Sequence, residues 1–78
     1  MSHYFFHVRN SIEADDEEGR ELADDAAAKA HAVDSARSLA SHDVRNGTLD
    51  LSHRIEIADQ DGKRVATVTF ADAVVIKR

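Results

Sequence analysis

The sequence predicts an α+β fold in which a three- or four-stranded antiparallel sheet carries one long helix on one face, in β-β-α-β-β order. Three stretches favour this fold. Residues 3–9 are aromatic and β-branched, residues 26–45 are good helix formers, and residues 54–70 hold two alternating segments around a turn. With 78 residues, we expect one small domain covering residues 1–78.

The first strand is predicted over residues 3–9. Because side chains alternate across a strand, its larger residues divide into two sets, with Tyr4, Phe6 and Val8 on one face and Phe5 and His7 on the other. Asn10 and Ser11 are typical of a tight turn, so residues 11–14 are predicted to return as a short second strand.

A long helix is predicted over residues 26–45, which contain neither Pro nor Gly. Asp24 or Asp25 is expected to cap its first turn, and Asn46-Gly47 to end it. Apolar residues spaced by three or four predict the side that packs on the sheet: Leu22, Ala26, Ala30, Val33, Ala36, Ala40 and Val44. The side expected in solvent carries His31, Ser35, Ser38, His42 and Arg45.

The second half predicts a hairpin of residues 54–58 and 63–70 around a turn at residues 59–62. Leu49 and Leu51 are expected to fold over the core, and residues 74–76 to form an edge strand or a strap after a short turn at residues 71–73. The sheet face without the helix is expected to present Phe5, His7, Val65 and Thr67. Such a face favours a homodimer.

Acidic residues are concentrated in residues 13–25, which we call the acidic segment. The chain has 10 Lys and Arg against 15 Asp and Glu, a net charge of −5, whereas the acidic segment alone holds eight acids against Arg20. Its ordinary interpretation is a solvated loop leading into a helix that favours acids at its start. Its functional interpretation is a site for a small basic protein, with these candidate residues: Asp15, Asp16, Glu17, Glu18 and Glu21.

Composition excludes several classes of function. The absence of Cys excludes disulfides and thiolate metal sites, and without such staples a chain of this length is expected to be intracellular, in the cytoplasm. No signal-peptide pattern and no long apolar run is present, so no membrane contact is predicted. The negative charge also disfavours nucleic acid as a partner.

Neither a metal site nor an enzyme is predicted. His3 and His7 share a strand face but lie roughly 13 Å apart, and His31 and His42 lie roughly 16 Å apart on the helix, too far for either pair to chelate one ion. No Gly-x-Ser-x-Gly, His-Glu-x-x-His or Gly-rich phosphate loop occurs. We therefore expect no catalytic residue, no metal and no cofactor.

Several motifs together resemble a known family. They are HYFFHVR at residues 3–9, DEEG at 16–19, RIEIADQDG at 54–62 and FADAV at 70–74. The chain resembles, over nearly its whole length, short uncharacterised proteins of alphaproteobacteria, particularly of rhizobial relatives, that form a domain of unknown function. The resemblance implies a bacterial, cytoplasmic protein and brings no activity or site.

A second resemblance is to the HicB-like antitoxin domain. Residues 4–14 would be its hairpin, residues 16–19 its acidic Asp-x-x-Gly loop and residues 25–40 its Ala-rich helix. The sequence departs from that pattern in lacking a clear third strand before the helix, the loop Pro and an appended DNA-binding segment. This resemblance implies a regulator whose acidic loop binds a small basic partner.

Two functions remain open from the sequence. The first is a non-enzymatic interaction module that works through a protein partner or by self-association. The alternative is the antitoxin-like regulator. A neighbouring gene for a short basic protein would favour the second, and a stable homodimer with no co-purifying partner would favour the first.

Overall fold

The computed structural model describes residues 1–10 and 13–77. Its elements are the strands β1 (Ser2–Arg9), β2 (Glu13–Ala14), β3 (Arg20–Leu22), β4 (Arg54–Asp59) and β5 (Arg64–Thr69), and the helices α1 (Asp25–Arg45) and α2 (Phe70–Ala73). The predicted α+β fold, with an antiparallel sheet and one long helix packed against it, is confirmed. Among the described residues the sheet has five strands, where the sequence predicts three or four.

The centre of the sheet is formed by β1 and β4, with β5 outside β4. On the other side of β1 two short strands share one edge, with β3 beside Ser2–Tyr4 and β2 beside Val8 and Arg9. The predicted second strand is confirmed at Glu13–Ala14, while residues 11 and 12 lie outside the described residues. Because β2 and β3 pair with opposite ends of β1, the chain between them runs alongside the middle of that strand.

Both predicted ends of the long helix are confirmed. The Asp24 carboxylate accepts a hydrogen bond from the Ala27 N–H at 2.9 Å, which caps the first turn. At the other end Asn46 is the C-cap residue, and Gly47 follows with a φ of 91°.

The predicted packing side of the helix is partly wrong. Its fully buried residues are Ala28, Ala32, Ala36 and Ala40, spaced by four, whereas Ala26 and Ala30 are exposed and Val44 is 57% exposed. His31, expected in solvent, is half-buried with its ring centroid 4.7 Å from that of Phe6. Alanine occurs on every side of the first three turns, so apolar spacing there does not select one face.

The core lies between α1 and the sheet. The small side chains of the buried alanines allow the helix to approach larger residues from the strands and from α2, chiefly Tyr4, Ile55, Ile57, Val68 and Phe70. Phe70 begins α2, which is the turn predicted at residues 71–73, and Thr69 and Asp72 close a capping box around it.

The segments around the core differ from the prediction in detail. Leu49 packs against the core as expected, but Leu51 is 38% exposed. Residues 74–76 form no strand, and of these only Val74 packs on the core. No helix among the described residues has both the length and the apolar character needed to cross a membrane.

Candidate functional site

The candidate site is the face of the sheet opposite α1, which we call the open face. Strand register brings its residues together: β1 supplies Phe5, His7 and Arg9, which lie opposite Ala58, Glu56 and Arg54 of β4. Each pair continues onto β5, where Arg64 lies opposite Ala58, Thr67 opposite Glu56 and Thr69 opposite Arg54. His3 extends the β1 row towards the N-terminus. The open face is therefore formed by His3, Phe5, His7, Arg9, Arg54, Glu56, Ala58, Arg64, Thr67 and Thr69.

A row of three rings runs along β1. The centroid of Phe5 lies 5.1 Å from that of His3, edge to face, and 6.4 Å from that of His7, in parallel planes. Both imidazoles are also bonded to the acidic segment. His3 Nε2 lies 2.7 Å from the Glu18 carbonyl oxygen, and His7 Nδ1 accepts the Asp16 N–H at 3.1 Å. The row is therefore held in place from the edge of the sheet.

Three arginines surround one carboxylate beside this row. Glu56 accepts hydrogen bonds from Arg9 at 3.1 Å, Arg54 at 3.3 Å and Arg64 at 3.4 Å. Burial favours a higher pKa for the Glu56 carboxyl, but the guanidinium groups together hold that pKa below its ordinary value. The cluster leaves an excess of positive charge towards β5, where the Arg64 side chain is 66% exposed.

The structure separates the five candidate residues of the acidic segment into two groups. Asp15 forms an ion pair with Arg9 at 2.7 Å, and Asp16 is half-buried against β1. The carboxylates of Glu17, Glu18 and Glu21 are exposed and make no hydrogen bond or ion pair within residues 1–10 and 13–77. Three of the five thus remain available to a partner.

Asp16 organises the loop that carries these acids. Its carboxylate accepts the backbone N–H groups of Phe6 at 3.1 Å, Glu18 at 3.2 Å and Gly19 at 3.0 Å. Burial favours a higher pKa for this carboxyl, yet the three N–H donors hold the pKa below its ordinary value. Asp16 is therefore a structural residue that fixes the loop along the edge of β1.

Gly19 shows how closely that loop approaches the strand. Its φ is 70°, and a Cβ atom there would lie 2.5 Å from His3 Nε2 and 2.6 Å from the Tyr4 carbonyl oxygen. Glycine adopts this left-handed conformation without a steric penalty, because it has no Cβ atom. Only glycine fits this position without displacement of β1.

Other surfaces offer less chemistry. A groove of about 320 Å³, the C-terminal groove, lies between the end of α1 and the last residues, and is lined by Arg37, Ala40, Ser41, Val44, Leu49, Val74 and Ile76. A second cavity of about 230 Å³ lies beside Tyr4, whose hydroxyl donates to Asp25 at 2.7 Å. That hydrogen bond to a carboxylate raises the pKa of Tyr4.

Histidine and carboxylate groups form no candidate metal site within residues 1–10 and 13–77. Among the described residues no group of three or more His, Asp or Glu side chains could hold an ion. His53, which sequence reasoning did not single out, comes nearest: its Nε2 lies 3.3 Å from Asp50 and its Nδ1 3.7 Å from Asp43, and its ring packs on Phe70. This histidine holds the connection before β4 against the core.

Sequence reasoning found part of the open face and missed the rest. Phe5, His7 and Thr67 lie where predicted, but Val65 falls at a register shift in the β4–β5 hairpin and packs against the core. The arginine cluster was not predicted as a unit. Strand alternation already places Arg9 on the same face as Phe5. The same alternation, applied to β1 and β4 together, would have predicted the arginine cluster.

Comparison with known proteins gives a family but no function. Neither a curated protein nor a solved structure matches the chain significantly. A family model described as "Domain of unknown function (DUF6894)" matches residues 3–71. This match confirms the resemblance to a domain of unknown function. Because it spans most of the chain, the protein belongs to the DUF6894 family.

Proposed function

We propose that this protein is a non-enzymatic interaction module of the bacterial cytoplasm, which acts through a protein partner or a second copy of itself. The observation that carries the proposal is the open face. It presents an ordered row of aromatic rings and a cluster of three arginines, with no layer of the described chain over it. Aromatic residues and arginine are enriched at the centres of protein interfaces.

The chain has a larger accessible surface than a compact monomer of its mass, which supports the proposal that a partner covers one face. The accessible surface is 5416 Å². The scaling of area with mass gives about 4700 Å² for a compact monomer of 8.6 kDa. The chain therefore exposes roughly 700 Å² more surface than a compact monomer of its mass. A two-layer domain of this kind gains from covering the other side of its sheet.

The open face is also pre-organised. The contact of His3 with the Glu18 carbonyl oxygen and the hydrogen bond that His7 accepts from the Asp16 N–H fix the rings on both sides of Phe5, and Glu56 fixes the arginines. Side chains that are already ordered lose less conformational entropy on binding. This rigidity favours a recognition surface.

The test compares Phe5→Ser with Val44→Ser, which removes an exposed apolar side chain from the C-terminal groove instead. Sedimentation velocity across a concentration series measures self-association, and pull-down from the native cell followed by reconstitution measures partner binding. We expect F5S to abolish the association and V44S to retain it, with circular dichroism showing that both variants fold. Association that survives F5S and is lost in V44S would place the interface in the C-terminal groove and refute the proposal.

A specific observation supports the second candidate, an antitoxin-like regulator with a small basic partner. The strand β3 ends at Leu22, just before α1, and so supplies the third strand that the HicB-like resemblance lacks in sequence. The free carboxylates of Glu17, Glu18 and Glu21 would meet the basic partner.

This candidate predicts a small basic protein that co-purifies in stoichiometric amount. Its binding should be lost in the variant E17Q/E18Q/E21Q and retained in F5S. If no such protein is recovered, or if it binds the triple variant normally, this second candidate is excluded.

A further inference from the structure

We propose that the open face is covered by the open face of a second copy, related by a two-fold axis that lies in the interface parallel to the strands. In this arrangement Phe5 of each copy lies over Ala58 of the other, and Arg64 of each copy contacts Glu17 and Glu18 of the other. The inference rests on the proposed function and names the occupant of the same surface.

The order of the strands gives the symmetry. Across the sheet the order is the β2 and β3 edge, then β1, β4 and β5. A two-fold axis midway between β1 and β4 places β1 of one copy over β4 of the other, and β5 over the β2 and β3 edge. An interface of this isologous type requires a surface that is complementary to itself.

The shape of the face meets that requirement at its centre. Phe5 and Ala58 are register partners, so they lie at the same height on the two central strands. Ala58 is only 8% exposed and lies between larger neighbours, and the two-fold axis brings the large ring of each copy over this smallest side chain of the other. Alternation of large and small residues across facing positions is how packed sheets interdigitate at about 10 Å separation.

The charge of the face is complementary in the same arrangement. Arg64 is the register partner of Ala58 on β5 and is 66% exposed. At the opposite edge, the bonds of Asp16 to Phe6 and of the Glu18 carbonyl to His3 place residues 16–18 beside the middle of β1. The axis thus sets each Arg64 against the exposed Glu17 and Glu18 of the other copy, twice per dimer.

The open face is large enough for a small interface. Four strand positions about 4.8 Å apart and long strands of six to eight residues give the sheet roughly 450 Å² in projection, and the acidic segment along its edge widens the contact. Because projecting side chains bury more than this flat area, the dimer falls towards the lower end of specific interfaces. Single-stranded nucleic acid is the other occupant that aromatic rings and arginines could attract, but the acidic segment along the edge of this face repels phosphates.

The experiment uses two charge-reversed variants, R64E and E17K/E18K, with K63E as the matched control. Each reversed variant alone opposes like charges at both contacts, so we expect its dimer to weaken at least tenfold in sedimentation equilibrium. An equimolar mixture of the two restores opposite charges at both contacts and should give a 1:1 dimer. K63E changes the charge beside Arg64 and should dimerise like the native chain.

Three outcomes would overturn the inference: a native chain that stays monomeric, dimers that tolerate both reversals, or a mixture that fails to associate. A labelled single-stranded oligonucleotide that binds the native chain but not F5S would assign the face to nucleic acid instead. If the native chain is monomeric while F5S loses a purified protein partner, this inference fails and the proposed function stands. If F5S alters no association at all, both fail.

Discussion

Asp16 illustrates how much one side chain determines in the acidic segment. Composition describes residues 13–25 as a solvated loop, yet this carboxylate accepts three backbone N–H groups and bonds the loop to β1 at Phe6. Its neighbours Glu17 and Glu18 have the same charge and remain exposed. Sequence alone could not separate these residues, because the difference arises from the strand that lies beside them.

The variant Asp16→Asn should destabilise the fold in a pH-dependent way. At neutral pH we expect a loss of about 1.5–3 kcal/mol in the free energy of unfolding, since the bonds to an ionised acceptor weaken. The pKa of Asp16 is lowered in the folded state, so its contribution is present above the unfolded value of about 3.9 and disappears as the pH falls through the folded value. Urea denaturation from pH 7 to pH 2.5 measures the difference.

Glu17→Gln is the matched control for this prediction, because Glu17 is exposed and unbonded among the described residues. Its unfolding free energy should follow that of the native chain at every pH. An Asp16→Asn deficit that stays constant down to pH 2.5 would contradict an ionised, hydrogen-bonded Asp16.

Glycine positions give a second comparison at the residue scale. Gly19 and Gly62 both have positive φ, 70° and 81°, but a Cβ atom at Gly62 meets nothing within 4 Å. Gly62→Ala should therefore cost only the left-handed strain of about 1–2 kcal/mol. Gly19→Ala should cost clearly more, because it must also displace His3 and the backbone of Tyr4. Equal losses in thermal unfolding would show that the loop does not press on β1.

At the scale of elements, the predictions that rest on strong local sequence signals are the ones that are confirmed. The helix caps, the turn at residues 59–62 and the strand alternation of β1 and β4 are confirmed, since each depends on residues close in the chain. The strand β3 was missed because Arg20 and Glu21 carry no β signal, and its pairing with Ser2–Tyr4 is a tertiary contact. The helix face was misplaced because alanine gives too little contrast.

The corrected helix face makes a direct prediction. Ala32→Leu inserts bulk where the side chain is fully buried against the sheet and should cost about 1–3 kcal/mol. Ala30→Leu, two residues earlier in the chain, adds the same bulk at an exposed position and should leave the unfolding free energy nearly unchanged. Chemical denaturation of the two variants decides which face of α1 packs on the sheet. The stripe predicted from the sequence, which contains Ala30, requires the reverse result.

At the scale of the whole molecule, the thinness of the fold connects its stability to its surface. The core combines four alanines of α1 with a sheet that the helix covers on one side, and a domain of 78 residues buries a smaller share of its surface than a larger domain does. The same two layers leave the aromatic row and the arginine cluster outside. Covering the open face would therefore stabilise the chain through the same contacts that the proposed function requires.

The linkage between assembly and stability predicts a thermal midpoint that depends on protein concentration. If the folded chain dimerises through the open face and the unfolded chain does not, mass action should raise the native midpoint by about 3–6 °C for each tenfold increase in concentration. R64E should show a lower midpoint whose concentration dependence begins only at concentrations at least tenfold higher, and its mixture with E17K/E18K should recover the native behaviour. Calorimetry over a hundredfold range measures these values. A native midpoint independent of concentration, or an R64E chain with the native dependence, would mean that folding draws no stability from this face.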